Sequence, residues 1–263
     1  MYQAYWGLSH SPFTPAASRQ LVDQHPLTSE ALARLDFLVE NRSRFGLLVG
    51  PAGSGKSLVL AEFTRRQRAA GAAVALISAR GLTPSDILLE LTADWGTAPS
   101  SLADAGSLWR LAVDRLAELR LEQVPAVAAI DDLDGASSEV RLLVDRLLHL
   151  ADCDLTVVAA ANDDSLMRLG MRLLDLTELR IELTLWTAAE TGAYLKASLQ
   201  AAGRERPAFA ERAVERLFQL SGGTPRRVGQ LAQLALVAGA GQSLTQIDEQ
   251  TVLAVHDELS AAR

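Results

Sequence analysis

The sequence predicts an α/β fold, a parallel five-stranded sheet covered on both faces by helices, followed by a small all-helical domain. Three observations carry that expectation. Short apolar runs recur at Phe45–Val49, Ala73–Ile77, Ala126–Ile130 and Leu155–Ala160, such runs are the mark of buried strands, and a fifth strand is expected around Arg180–Leu183. Helical stretches lie between them, and strands alternating with helices imply a parallel sheet. From Thr187 the strand signals stop and only helical patterns remain. The expected division is residues 1–186 for the α/β domain with an N-terminal arm and 187–263 for the helical domain, with the boundary near Trp186.

The elements follow in order. Residues 1–25 carry Tyr2, Tyr5, Trp6, Pro12, Phe13 and Pro15 and read as an irregular arm. A helix is expected over Thr28–Glu40, with Leu32, Leu35 and Leu38 on one side. The first strand runs into a glycine-rich loop, and a helix follows over Ser57–Ala70, ending at Gly71. After the second strand come helices over Thr83–Trp95, with Pro84 suited to a first turn, and over Ser107–Gln123. The third strand ends in Asp131-Asp132. A helix over Ser137–Ala151 sets Val140, Leu143, Val144 and Leu147 at core spacing. The fourth strand ends at Asn162, and a short helix near Ser165–Leu174 precedes the fifth. Thr187–Ala202, Phe209–Ser221, Thr224–Ala240 and Asp248–Ala261 complete the chain as helices.

Composition narrows the function classes. The 263 residues are 49% hydrophobic and 22% charged, an ordinary globular balance. A net charge of −7 argues against a strong non-specific grip on nucleic acid, while leaving a local basic patch open. Arg65, Arg66 and Arg68 read as a solvated helix face rather than a DNA surface. Cys153 is the single cysteine, so no intrachain disulfide forms, which fits a reducing compartment. Met1–Phe13 lacks the pattern of a signal peptide, and the longest apolar stretch, Ala69–Ala79, is short and broken by Gly71. The expectation is a cytoplasmic protein with no direct membrane insertion. Four scattered histidines show no metal-ligand spacing.

The chemistry begins at the loop Gly50-Pro51-Ala52-Gly53-Ser54-Gly55-Lys56-Ser57, which matches G-x-x-x-x-G-K-[ST] at every fixed position. Its glycines let backbone N–H groups wrap phosphate oxygens, and the helix that follows points its positive end at the same anion. Lys56 is expected on the β- and γ-phosphates and the Ser57 hydroxyl on Mg²⁺. Asp131, at a strand end, is expected to complete the Mg²⁺ shell. Asp132 is the candidate general base, one methylene shorter than the Glu usual at that place. Asp134 is a second acidic candidate, read as a solvated turn residue. Asn162 carries a neutral amide that can hold an attacking water. Arg180 and Arg226 are cations suited to the charge that develops on a transferred phosphoryl group. Thr224 can cap the helix whose first turn is Pro225-Arg226.

In this order the motifs resemble an AAA+ ATPase, and more narrowly the general secretion pathway protein A family. The narrower likeness rests on Met1-Tyr2, Tyr5-Trp6-Gly7-Leu8 and Pro12-Phe13, on His25 with Ala31-Leu32-Ala33-Arg34-Leu35, and on Gly222-Gly223-Thr224-Pro225-Arg226-Arg227. The resemblance implies ATP rather than GTP, and no guanine-reading N-K-x-D follows the strands. It also implies Asn162 as sensor 1, Arg180 as an arginine finger, Arg226 as sensor 2, and His25 with the arm near the adenine. One departure is plain: the family's Asp-Glu-Ala-Gln run stands here as Asp131-Asp132-Leu133-Asp134. The membrane span and peptidoglycan-binding region of the full secretion proteins find no match in these residues. A role in building a secretion channel is therefore not expected.

Three functions fit this sequence. The first is an Mg²⁺-dependent ATPase that assembles as a homo-oligomer and remodels or loads a protein partner. The second is an ATP-dependent DNA-binding adaptor of the transposition-regulator type, which the acidic balance disfavours. The third is an ATP-binding interaction module that does not hydrolyse, a reading the short Asp132 keeps open.

Overall fold

The computed structural model describes residues 2–14, 17, 25–100, 103–151 and 153–261. The chain divides into two compact units. One comprises residues 30–51 and 56–183; the other comprises 1–29, 52–55 and 184–263.

The first unit is α/β. Its strands are β1 (Phe45–Gly50), β2 (Ala73–Ser78), β3 (Ala126–Asp131), β4 (Leu155–Asn162) and β5 (Leu179–Glu182). They form one sheet in the order β2-β3-β4-β1-β5, with every pairing parallel. All of β1 is buried, as are the first seven residues of β4. This explains why alanine-rich runs such as Ala126–Ile130 hold as strands: burial on both faces overrides weak intrinsic preference. Leu47, Ile77, Ile130 and Val157 from the strands share a core with Leu88, Leu116 and Val144 from the intervening helices.

Those helices are α2 (Pro26–Glu40), whose residues 26–29 group with the other unit, α3 (Lys56–Ala69), α4 (Pro84–Asp94), α5 (Ala105–Leu121), α6 (Ser138–Leu148) and the short α7 (Met171–Asp175). Local chemistry sets their starts. Thr83 and Asp86 form a reciprocal capping box on α4, with Pro84 in the first turn. Asp104 and Ser137 cap α5 and α6. The single short helix expected near Ser165–Leu174 is instead a 3₁₀ segment, Asp163–Leu169, followed by α7. Gly170, at φ +84°, breaks the run between them.

Register fixes the chemistry's address. Gly50 of β1 pairs with Asn162 of β4, and Ser78 of β2 pairs with Asp131 of β3. Four strand ends therefore finish on one edge of the sheet. Because β4 lies between β3 and β1, Asn162 stands between Asp131 and the start of the glycine loop. The carboxyl edge of a parallel sheet is where ligands bind in open α/β folds.

The second unit is helical. It contains α1 (Tyr2–Trp6), α8 (Ala188–Ala201), α9 (Glu211–Ser221), α10 (Pro225–Gly241) and α11 (Glu249–Ala261). The arm is therefore not wholly irregular: residues 2–6 form a helical turn. It also belongs with the helical residues, whereas the sequence had grouped it with the α/β domain. Trp6 is 2% exposed, donates from its indole N–H to the Leu236 carbonyl at 2.7 Å, and shares a core with Leu199, Leu217, Leu231 and Ile247. Burying an indole with its donor satisfied explains the grouping. Pro15 lies outside the described residues. Among the described residues no helix is long and apolar enough to cross a membrane.

Candidate functional site

Lys56 opens α3 directly below the end of β1. It is 7% exposed, and its ammonium donates to the carbonyls of Gly50 at 2.7 Å and Pro51 at 2.9 Å and to Oδ1 of Asn162 at 3.0 Å. A buried ammonium costs several kcal/mol unless its protons are placed, and here all three are. Burial pushes Lys56 below its ordinary pKa, while the nearby carboxylates of Asp131, Asp134, Asp163 and Asp132 pull it back up.

The carboxylates follow β3. Asp131 is half-buried, and its Oδ1 accepts the Asp132 backbone N–H at 3.0 Å. Asp132 adopts left-handed backbone angles (φ 54°), a conformation that Asp tolerates better than most residues. This turn sends its side chain toward Arg80, 3.8 Å away. The Asp134 carboxylate differs from its expected reading. It is not solvated: the residue is 4% exposed, and Oδ2 accepts from Nδ2 of Asn162 at 3.0 Å. The 3₁₀ turn Leu133–Gly135 buries Leu133 and carries Asp134 inward beside it. Lys56, Asn162 and Asp134 thus form one continuous hydrogen-bonded chain.

Other candidates stand apart from that chain. Ser57 is exposed in the first turn of α3. Arg180 on β5 pairs with Glu182 at 2.7 Å, two residues along the same face of the strand. In the helical unit, loop residues Ala52–Gly55 group with α10. The Gly53 carbonyl accepts the Arg226 backbone N–H at 3.3 Å, and the Arg226 side chain is exposed. Gly53 and Gly55 have φ of +83° and +104°, and a Cβ at Gly53 would meet the Thr224 methyl at 2.8 Å. Thr224 occupies the cap position of α10 but makes no side-chain capping bond, contrary to its expected role. His25 stacks on Trp186, centroids 5.1 Å apart at 23°, and Trp186 packs on Tyr194 at 4.6 Å. Both His25 ring nitrogens are buried without a partner among the described residues. Burial lowers its pKa, and Glu190 opposes that shift.

Residue chemistry fits a nucleoside triphosphate with Mg²⁺. The loop offers a lysine, glycines in conformations only they adopt readily, and a buried Ser54 hydroxyl with no partner among the described residues. Among the described residues no cluster of three or more His, Cys, Asp or Glu is placed to hold a metal. Mg²⁺ needs none when one carboxylate, a hydroxyl and substrate phosphates supply its oxygens.

A protein-family model described as an AAA domain matches residues 39–169, spanning the glycine loop, Asp131 and Asn162. The chain carries an AAA domain. General secretion pathway protein A of Aeromonas hydrophila is 26% identical over 271 residues, an alignment that covers all of this chain. The chain spans about half (48%) of that curated relative's length. Solved structures share the AAA fold. Cdc6p from Pyrobaculum aerophilum superposes with a TM-score of 0.71 at 19% identity, over 90% of this chain and 67% of that one. The Aeropyrum pernix ORC1 protein, solved in complex with DNA, gives 0.67 at 20%, over 86% and 64%. The Thermotoga maritima RuvB Holliday junction branch migration motor gives 0.61 at 18%, over 88% and 68%. The AAA sheet and its strand-end loop are a nucleotide-binding framework.

The sequence reading of the strand-end cluster has one omission and one misassignment. Arg80, beside Asp132, was not named at all. Asp134 was named but assigned to solvent, because its inward placement depends on the packing of Leu133 and on Asn162, which is distant in sequence.

Proposed function

We propose that this protein is an Mg²⁺-dependent ATPase that works as a cytoplasmic homo-oligomer and acts on a protein partner as a switch, remodelling or loading factor. The observation that carries the reading is the placement of Lys56 and Asn162 in direct hydrogen bond on the strand-end edge, with Asp131 at the end of the next strand and Asp132 just after it. Gly50 to Lys56 hold the phosphates and Ser57 and Asp131 hold Mg²⁺, which when bound neutralises phosphate charge. Lys56 exchanges carbonyl partners for phosphate oxygens. Asp132 takes the proton of the attacking water at its carboxylate, while Asn162 orients that water through its amide. Arg180 and Arg226 supply positive charge as the bond to the terminal phosphate breaks, Arg180 toward a neighbouring subunit's nucleotide. His25 lies by the adenine with Trp186, whose flat face suits a base.

The test is phosphate release with Mg²⁺ and ATP, run alongside nucleotide binding and size-exclusion chromatography. Wild type should exceed Lys56→Ala by about 100-fold or more, the scale of losing a principal phosphate cation. Arg180→Ala should abolish most turnover and leave binding within about threefold. Equal phosphate release by wild type and Lys56→Ala would leave a non-hydrolysing ATP-binding module. An unchanged rate in Arg180→Ala would remove its role across subunits. The ORC1 relative solved with DNA favours a second reading, the ATP-dependent DNA-binding adaptor. The net charge of −7 opposes it, and absence of ATP-dependent DNA retention at low salt would dismiss it.

A further inference from the structure

One buried carboxylate is left unused by that reading. Asp134 is 4% exposed, and while Oδ2 accepts from Asn162, Oδ1 is buried with no hydrogen-bond partner among the described residues. Folded chains rarely keep a buried polar oxygen unpaired, and each such atom calls for a reason. What holds this carboxylate in its buried place is the Asn162 amide on its other oxygen.

Asn162 is held from both sides. Its Oδ1 faces the Lys56 ammonium at 3.0 Å and its Nδ2 faces Asp134 at 3.0 Å. An ammonium only donates and an ionised carboxylate only accepts, so a single amide orientation satisfies both neighbours. The flipped amide would set N–H against ammonium and carbonyl against carboxylate, losing both bonds. Lys56 alone is a weak guide to this choice, because it also donates to the Gly50 and Pro51 carbonyls and is the group a phosphate would draw away. Asp134 has no such competing demand on the contact it makes. It sits on a buried 3₁₀ turn beside Leu133, which is 0% exposed, so its position is set by packing.

We propose that Asp134 is the positioning residue for Asn162. It occupies one N–H of the amide and thereby aims the second N–H, and the amide oxygen, at the reacting phosphate and its water. Asp134 itself touches neither. This rests on the ATPase reading above and adds to it the group that keeps its sensor amide in one orientation when Lys56 moves to the nucleotide.

The experiment has two arms. In steady-state ATP hydrolysis, Asp134→Ala should lower kcat about tenfold or more with KM changed less than about threefold. Asp134→Asn, which retains an oxygen to accept from Asn162, should stay within about threefold of wild type. In an Asn162→Ala background, Asp134→Ala should change kcat less than about twofold, because residues acting as one unit are not additive. Fully additive losses, equal damage from Asp134→Asn and Asp134→Ala, or a change in KM alone would overturn the proposal.

The second arm needs no turnover. The Asn162 side-chain amide, assigned in a ¹⁵N NMR spectrum by its disappearance in Asn162→Ala, should show one slowly exchanging proton in wild type and in Asp134→Asn. Both its shift and its protection should be lost in Asp134→Ala. An amide signal indifferent to Asp134→Ala overturns the proposal whatever the hydrolysis rate. A wild-type protein that gives the expected amide response yet no phosphate release above Lys56→Ala refutes the hydrolysis reading, while the assignment of Asp134 to Asn162 stands.

Discussion

In the α/β unit the functional candidates are charged or amide groups that hold one another: Lys56 on Asn162, Asn162 on Asp134, Asp132 beside Arg80. In the helical unit, Arg226 apart, they are flat rings: His25 on Trp186, Trp186 on Tyr194. The first set is placed by strand register. Parallel pairing brings the ends of β1, β3 and β4 to one edge, and the glycine loop and the Leu133–Gly135 turn that leave it carry Lys56 and Asp134 to Asn162. The second set is placed by packing, with Gly223 allowing the close approach of Trp186, whose backbone N–H donates to the Gly223 carbonyl at 2.9 Å. The difference assigns them different chemistry. A charged network responds to changes of charge, and an aromatic stack responds to changes of shape.

Three measurements sharpen or break that contrast. The largest effect belongs to Asp132. Asp132→Asn should reduce ATP turnover about 100-fold, the usual scale for a lost general base, and leave nucleotide binding in place. Asp132→Glu should raise turnover above wild type if reach limits the short carboxylate. Equal rates in all three proteins would take Asp132 out of the chemistry. Next comes shape. A side chain at Gly223, which has φ +70°, would run into the Trp186 carbonyl. Gly223→Ala should therefore lose about 2 kcal/mol or more in urea unfolding, and a value near zero would mean the Trp186 seat is soft. The smallest effect is on pH. Burial depresses His25 below its ordinary pKa near 6.5, so the unfolded chain takes up a proton before the folded one does. Above pH 6.5 both states are neutral and nothing is lost. As pH falls below that value, stability drops until the folded His25 also protonates. The Tm of wild type should fall between pH 7.5 and 5.5 more than that of His25→Phe. Parallel curves would show that His25 does not resist protonation.

Much of this was legible in the sequence, for physical reasons that differ by element. The central strands were visible because a strand buried on both faces must be apolar throughout, and Phe45–Val49 or Leu155–Ala160 leave no other reading. Asp131 and Asn162 were visible because each ends such a strand, and Lys56 because it closes the glycine-rich motif that follows one. The helix of Tyr2–Trp6 was hidden, because five residues carry too little periodicity to register and their order comes from the core that receives Trp6. The burial of Asp134 was hidden because it depends on Asn162, 28 residues away in the chain, and no local pattern states whether a turn carboxylate finds such a partner. Thr224 failed in the opposite direction: its sequence context suits a cap, yet its methyl lies where a Cβ on Gly53 would fall and its hydroxyl makes no capping bond.

Lys56 has one more consequence, for reactivity in a test tube. Of the 25 basic residues in this chain only Lys56 and Lys196 are lysines. Lys196 is exposed on α8, while Lys56 is buried with three hydrogen bonds. Acylating reagents attack free, accessible amines, and arginine does not compete with them. The protein therefore carries a built-in pair of side-chain amines, one open and one shielded. The ratio of label at the two positions reads out how tightly the glycine loop holds its own cation.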